Sequence, residues 1–131
     1  MSSAEEHPNA ALTRRVFAAF GKDAKAISAA LSREIVWRVP GHTIMSGEYR
    51  GRREVVEFLR RTGLETGGTY RSSLHTVFAN DDWAIAIYRA RGHRNGIELD
   101  VDQALVIRIA DGLLQDVTAV PLDSAFERFW A

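Results

Sequence analysis

Six polar side chains interrupt otherwise apolar patterning in this chain: His42, His75, Tyr88, Asp100, Asp102 and Gln103. His42 stands just past Pro40-Gly41, at the end of an alternating apolar run. An imidazole is the side chain most easily tuned to exchange a proton near neutral pH. His42 is therefore the first candidate base, although an exposed loop histidine would explain it as simply. His75 has the strand parity of Val77 and Ala79. It reads either as a second acid–base group or as a hydrogen-bonded core histidine. Tyr88 can donate to a substrate oxygen as an oxyanion donor does, or can serve as a core tyrosine with a bonded hydroxyl. Gln103 is the one polar residue among Leu99, Val101, Leu105, Ile107 and Ile109. A buried amide left unpaired costs about 1–3 kcal/mol, so Gln103 must bond to backbone, to Tyr88 or to a ligand. His42, Tyr88, Gln103 and His75 thus form a candidate set for acid–base chemistry without a cofactor. Asp100 and Asp102 share the opposite strand face. As a working pair they would suit epoxide opening, and as ordinary charges they would be solvated.

Other chemistries lack their residues. There is no cysteine, so thiolate metal sites and disulfides are excluded. His7, His42, His75 and His93 show neither HxH nor HExxH spacing, and no metal or cofactor is expected. Gly67-Gly68 is not followed by Lys-Ser, and no GxSxG is present. Lys and Arg number 17, as do Asp and Glu. That balance gives no electrostatic footprint for nucleic acid or an anionic membrane. The first residues, MSSAEEHPNA, form neither a signal nor a span, and a cytoplasmic protein is expected.

The elements that must position these groups follow from periodicity. The 131 residues are 46% hydrophobic, enough for one domain with a core. Residues 1–9 are expected to be a flexible tail and residues 10–131 a single domain. Leu12, Val16 and Phe20 mark a helix that Gly21 ends. Asp23 caps a second helix with Ile27, Ala30 and Leu31 on its apolar face. Glu34–Val39 alternates as a strand and breaks at Pro40-Gly41. Val55, Phe58, Leu59 and Thr62 share a face of a third helix. Four strands follow: Ser72–Ala79, Trp83–Arg94, Ile97–Ile109 and Leu113–Val120. Asn95-Gly96 is a hairpin signal between the second and third. Asp123 caps a last helical turn carrying Phe126, Phe129 and Trp130. Helices first and a strand meander after them make an α+β domain. Ala84, Ala86, Ala90 and Gly92 flank Tyr88 on one strand face, which suggests a border of a cavity. The opposite face, with Trp83, Ile85 and Ile87, also needs cover.

Two stretches carry a resemblance: WRVPGHTIMSGEYRG at Trp37–Gly51 and VIRIADGLLQDVTAVPLDSAFERFWA at the end of the chain. With the element order, they resemble the SnoaL-like and ketosteroid-isomerase-like members of the nuclear transport factor 2 superfamily over roughly residues 10–131. The resemblance implies a cone: N-terminal helices packed in a curved antiparallel sheet around an apolar pocket. It implies a homodimer through the outer sheet face. It places Trp37, Val39, Val16, Phe17, Phe20, Met45, Tyr49, Phe58 and Leu105 at the pocket. The isomerase positions for base, tyrosine and hydrogen-bonding acid fall at Val39, near Val16 and at Leu105, all aliphatic. The expected function is therefore relocated chemistry on an apolar oxygenated, polyketide-like molecule: cyclisation, isomerisation, dehydration or epoxide opening. The competing expectation is a module that binds an apolar ligand or a partner without catalysis.

Overall fold

The computed structural model describes residues 6–131. Helix α1 spans Pro8–Ala19, earlier than the expected tail allows, because His7 caps it. The His7 Nδ1 accepts from the Asn9 amide at 3.0 Å, and its Nε2 lies 2.9 Å from Asp81 Oδ1. Pro8 occupies the first turn, where its missing N–H costs nothing. Residues 1–5 of the expected tail lie outside the described residues. Helix α2 spans Ala24–Ala30, with Asp23 accepting from the Ala26 amide at 3.0 Å.

Strand β1, Leu31–Val39, begins three residues before the expected start. Leu31 thus belongs to the sheet rather than to a helix face, and it is fully buried there. A short strand β2, Gly47–Arg50, follows the Pro40-Gly41 break and leads into α3, Gly51–Glu65. Then come β3 (Arg71–Ala79), β4 (Trp83–Arg94), β5 (Ile97–Ala110), β6 (Leu113–Pro121) and α4 (Ala125–Trp130). Asn95-Gly96 and Asp111-Gly112 all hold positive φ, the geometry that two-residue hairpin turns demand.

The six strands form one curved, unclosed sheet in the order β2-β1-β6-β5-β4-β3. The last four pair antiparallel, as expected, but β1 joins β6 in parallel, so the sheet is mixed. The helices fill its concave side, and the fold is the cone-shaped α+β architecture. Leu31, Ile35, Val55, Ile107, Val117 and Phe129 are essentially sealed from solvent at its centre. No helix among the described residues is long and apolar enough to cross a membrane.

Two details correct the strand-parity reading. A bulge in β3 sets Leu74 against Tyr88 and Thr76 against Ile87, leaving His75 as the extra residue. An extra residue inverts parity beyond it. Leu74 and Val77 pack against the core, while His75 is exposed. The small residues of β4 also have a different purpose. Ala84, Ala86 and Ala90 are fully buried but do not line the cavity described below. Helix α1 contacts both β3 and β4, and side chains this short let it approach closely.

Candidate functional site

A cavity of about 860 Å³ lies between the helices and the concave sheet face. Its walls are mainly apolar and aromatic. Phe17 from α1 meets Phe20 edge-on at 4.9 Å and Tyr88 at 5.1 Å between ring centres. Phe20 meets Trp37 at 6.4 Å, and Trp37 meets Phe58 at 6.0 Å. Val39, Met45, Leu105 and Ala119 complete the sheet and loop side, while Phe126 and Trp130 of α4 close one end. Tyr49 stands behind this wall: it stacks on Phe58 at 4.3 Å and donates its hydroxyl to the Met45 carbonyl at 2.7 Å. Val16 is buried in the core beside the cavity rather than lining it. Of the wall residues expected from sequence, Trp37, Val39, Phe17, Phe20, Met45, Phe58 and Leu105 are therefore brought together.

The polar groups in this apolar cavity are few. Tyr88 and Gln103 are opposed across β4 and β5, on neighbouring strands. Gln103 is only 2% exposed, and its Oε1 has no hydrogen-bond partner within the described chain. The structural bond to backbone or Tyr88 that would have explained it is not made. Tyr70 and Ser72, at the start of β3, add two more hydroxyls. Tyr70 falls just before the expected strand Ser72–Ala79, so nothing in the pattern marked its ring as inward-facing.

Burial, first of all, pushes the Tyr88 phenol well above its ordinary range, and the adjacent Tyr70 hydroxyl pushes it the same way. Tyr70 is raised to about 12, again by burial, against a smaller opposing effect of the Ser72 and Tyr88 hydroxyls. Tyr70 is half-exposed as a residue; the burial that matters is that of its hydroxyl end, which faces the cavity. Burial also raises Tyr49. These three are all the tyrosines of the chain. For each, the folded state favours the neutral phenol. That contribution to stability is complete below about pH 10 and declines as pH rises through the folded values. In native protein Tyr70 and Tyr88 are therefore expected to develop no tyrosinate absorbance near pH 10. Its appearance there, before unfolding, would show that the hydroxyls are solvated.

The remaining candidates lie elsewhere. His42 is exposed in the loop after Pro40-Gly41 and does not line the cavity. The neighbouring backbone at Gly41 has φ +88 and runs so close to Glu127 of α4 that a Cβ would overlap its carboxylate. Within this loop Met45 supplies the contact with the cavity. His75 lies on the outer sheet face, 3.8 Å from Asp102. Asp100 and Asp102 are on that face too, bound by Arg89 at 2.7 and 3.2 Å. Hydrogen bonds from Arg89 and then Arg91 hold Asp100 below the usual carboxylate range. These aspartates form a solvated charge network rather than a catalytic pair. Among the described residues no Asp, Glu or His lines the cavity, and no cluster of metal-ligating side chains occurs. The arrangement can bind an apolar body, donate hydrogen bonds from neutral phenols, and accept one at Gln103.

Comparison with known proteins agrees with this geometry. Residues 13–117 match the SnoaL-like domain family. Uncharacterised proteins of Mycobacterium tuberculosis and Mycobacterium bovis are each 34% identical over 123 residues, spanning 92% of this chain and 94% of theirs. Among solved structures, Bal32a from a soil-derived mobile gene cassette superposes with a TM-score of 0.90 at 32% identity, covering 95% of this chain and 97% of that one. TerC co-crystallised with polyporic acid gives 0.81 at 19% identity, with 94% and 98% covered. A candidate SnoaL-like polyketide cyclase from Jannaschia gives 0.80 at 13% identity, with 99% and 96% covered. The last two likenesses speak to the fold alone.

Proposed function

This chain belongs to the SnoaL-like family, and from that premise we propose that it binds a small, largely apolar, oxygenated molecule and transforms it without a cofactor. The reaction class is cyclisation, isomerisation or dehydration, in which negative charge develops on a substrate oxygen. The observation that carries this reading is the unpartnered Gln103 Oε1, buried opposite Tyr88 in an apolar cavity. A group that costs stability when unpaired is expected where a ligand completes it.

Tyr88, kept neutral by burial, donates to the reacting oxygen and stabilises its developing charge. Tyr70 stands beside it as a second donor, and Gln103 accepts from a hydroxyl of the same ligand and fixes its orientation. Trp37, Phe17, Phe20 and Phe58 hold the apolar body. This assignment gives His42 and His75, which are exposed, no part: the phenols only donate hydrogen bonds, and the proton lost by one atom of the substrate is taken up by another atom of the same molecule, the departing hydroxyl in a dehydration. Epoxide opening by Asp100 or Asp102 drops out because both face outward.

A second reading, binding without turnover, is favoured by the lack of any carboxylate or imidazole in the described cavity wall. Extraction of the purified protein and mass spectrometry of what it retains separate the two. A retained molecule that is chemically altered on incubation supports the enzyme. A retained molecule recovered unchanged supports the binder, and a protein that retains and binds no apolar molecule contradicts both.

The outer sheet face is the proposed seat of a second copy. Phe78, Ile85 and Val106 are opposed in register across β3, β4 and β5, and Phe78 and Ile85 are exposed with Trp83 beside them. Exposed apolar patches of this kind mark interaction surfaces. Light scattering should give twice the chain mass, and Trp83→Glu should halve it. A monomer at high concentration would refute the dimer.

A further inference from the structure

Charge balances over the whole chain, 17 basic against 17 acidic residues, but not around the cavity. Four cations border it, Arg14, Lys22, Arg71 and Arg91, and no carboxylate among the described residues does. They gather where it opens. Arg14 and Ala18 lie one turn apart on an exposed side of α1, and Gly21 and Lys22 follow in the turn after it. Gly63 and Gly68 lie at the end of α3 and in the loop after it, and Arg71 and Ser73 on β3. Strand β3 is the edge of the sheet, so the opening runs between that edge and α1.

Two of the four cations are already neutralised. Glu6 lies 2.7 Å from Arg14, and Asp100 lies 3.0 Å from Arg91. Lys22 and Arg71 make no ion pair among the described residues. Arg71 instead donates to the Gly68 and Tyr70 carbonyls at 2.8 Å, which holds its guanidinium at the lip. Low-dielectric walls beneath such a rim focus its field on whatever enters.

We infer that the ligand of this cavity is an amphipathic acid, with an ionised group between Lys22 and Arg71 at the mouth and an apolar body inside. A hydroxyl farther along that body donates to Gln103 Oε1, the one buried side-chain atom without a partner among the described residues. The inference rests on the proposed function for the cavity itself and adds the charge and polarity of what it takes. A wholly neutral molecule would make no use of these two cations.

Two fluorescent probes with the same apolar body test it: anilinonaphthalene sulfonate and its uncharged parent, phenylnaphthylamine. At low salt the sulfonate should bind about tenfold more tightly, through two partly exposed charge contacts. The advantage should shrink as salt screens them. Lys22→Gln combined with Arg71→Gln should abolish the advantage and leave the neutral probe's affinity unchanged. Leu105→Trp combined with Ala119→Phe, or either alone if the pair does not fold, should crowd the cavity and weaken both probes. Equal affinities unaffected by the rim substitutions would overturn the inference while leaving the cavity as an apolar site. Sulfonate affinity undiminished in a folded variant that weakens the neutral probe would overturn it as mere surface attraction. Failure of both probes to bind the unaltered protein would overturn the inference and the proposed function together.

Discussion

In the proposed reaction, Tyr88→Phe is expected to lower kcat by about 100- to 1,000-fold, the usual cost of losing one oxyanion donor. The ring itself should stay in place. Phenylalanine keeps the edge contact with Phe17, at 5.1 Å between ring centres, and needs no new volume. KM should change little, because a hydroxyl that acts as charge develops contributes more to the transition state than to the ground state. Burial holds this phenol neutral to well above its ordinary range, so the unaltered enzyme should keep the donor across the physiological pH range. A Tyr88→Phe protein with undiminished turnover would remove Tyr88 from the chemistry. Equal rises in KM with kcat intact would make it a binding group only.

Phe129→Ala should cost about 3–5 kcal/mol of stability, the range for deleting a buried aromatic ring. A domain of this kind has about 5–15 kcal/mol in all, so much of the protein would be unfolded on modest warming. Phe129 is fully buried. It meets Trp130 edge-on at 4.8 Å, and its ring comes within contact distance of the place a Cβ on Gly92 would occupy. Its carbonyl accepts from Arg94 at 3.1 Å, and the Trp130 carbonyl accepts from the Ile44 amide at 3.1 Å. Helix α4 is only six residues long, too short to persist without such anchors. Because Phe126 and Trp130 close one end of the cavity, the same substitution should weaken ligand retention before global unfolding. Chemical denaturation is the measurement, and a loss below about 1 kcal/mol would mean that α4 is held by other contacts.

The parts of this fold that were legible in the sequence are those where one signal dominated. Asn95-Gly96 and Asp111-Gly112 fix two hairpins because few other residue pairs tolerate positive φ twice. Leu12, Val16 and Phe20 mark the first helix because nothing competes with their spacing, although Phe20 falls at its C-cap. The order of helices and late strands, and with it the family, followed from such elements. What escaped was set by tertiary structure. Strand β2 is four residues long with no apolar alternation, and it exists because β1 offers it an edge. His75 carried the parity of a core residue until the β3 bulge turned it outward. The alanines of β4 read as room for a ligand but make room for a helix. At the site, the aromatic wall and the isolated Gln103 could be picked out by polarity alone. Tyr70 could not, since only the folded chain brings it, two residues past Gly68, beside Tyr88.

The claim that Gln103 faces a ligand rather than a structural partner is tested most directly by the thermal unfolding of Gln103→Leu. Leucine has similar bulk and no amide to desolvate, so the account predicts that the variant is more stable than the parent by about 1–3 kcal/mol. For a chain of this size that is a melting temperature higher by about 4–11 °C. A side chain kept for function at the expense of stability should behave in this way. A variant that melts at a lower temperature than the parent would mean that the amide is satisfied within the fold, and would contradict the assignment of this cavity as a site built around a ligand's oxygen.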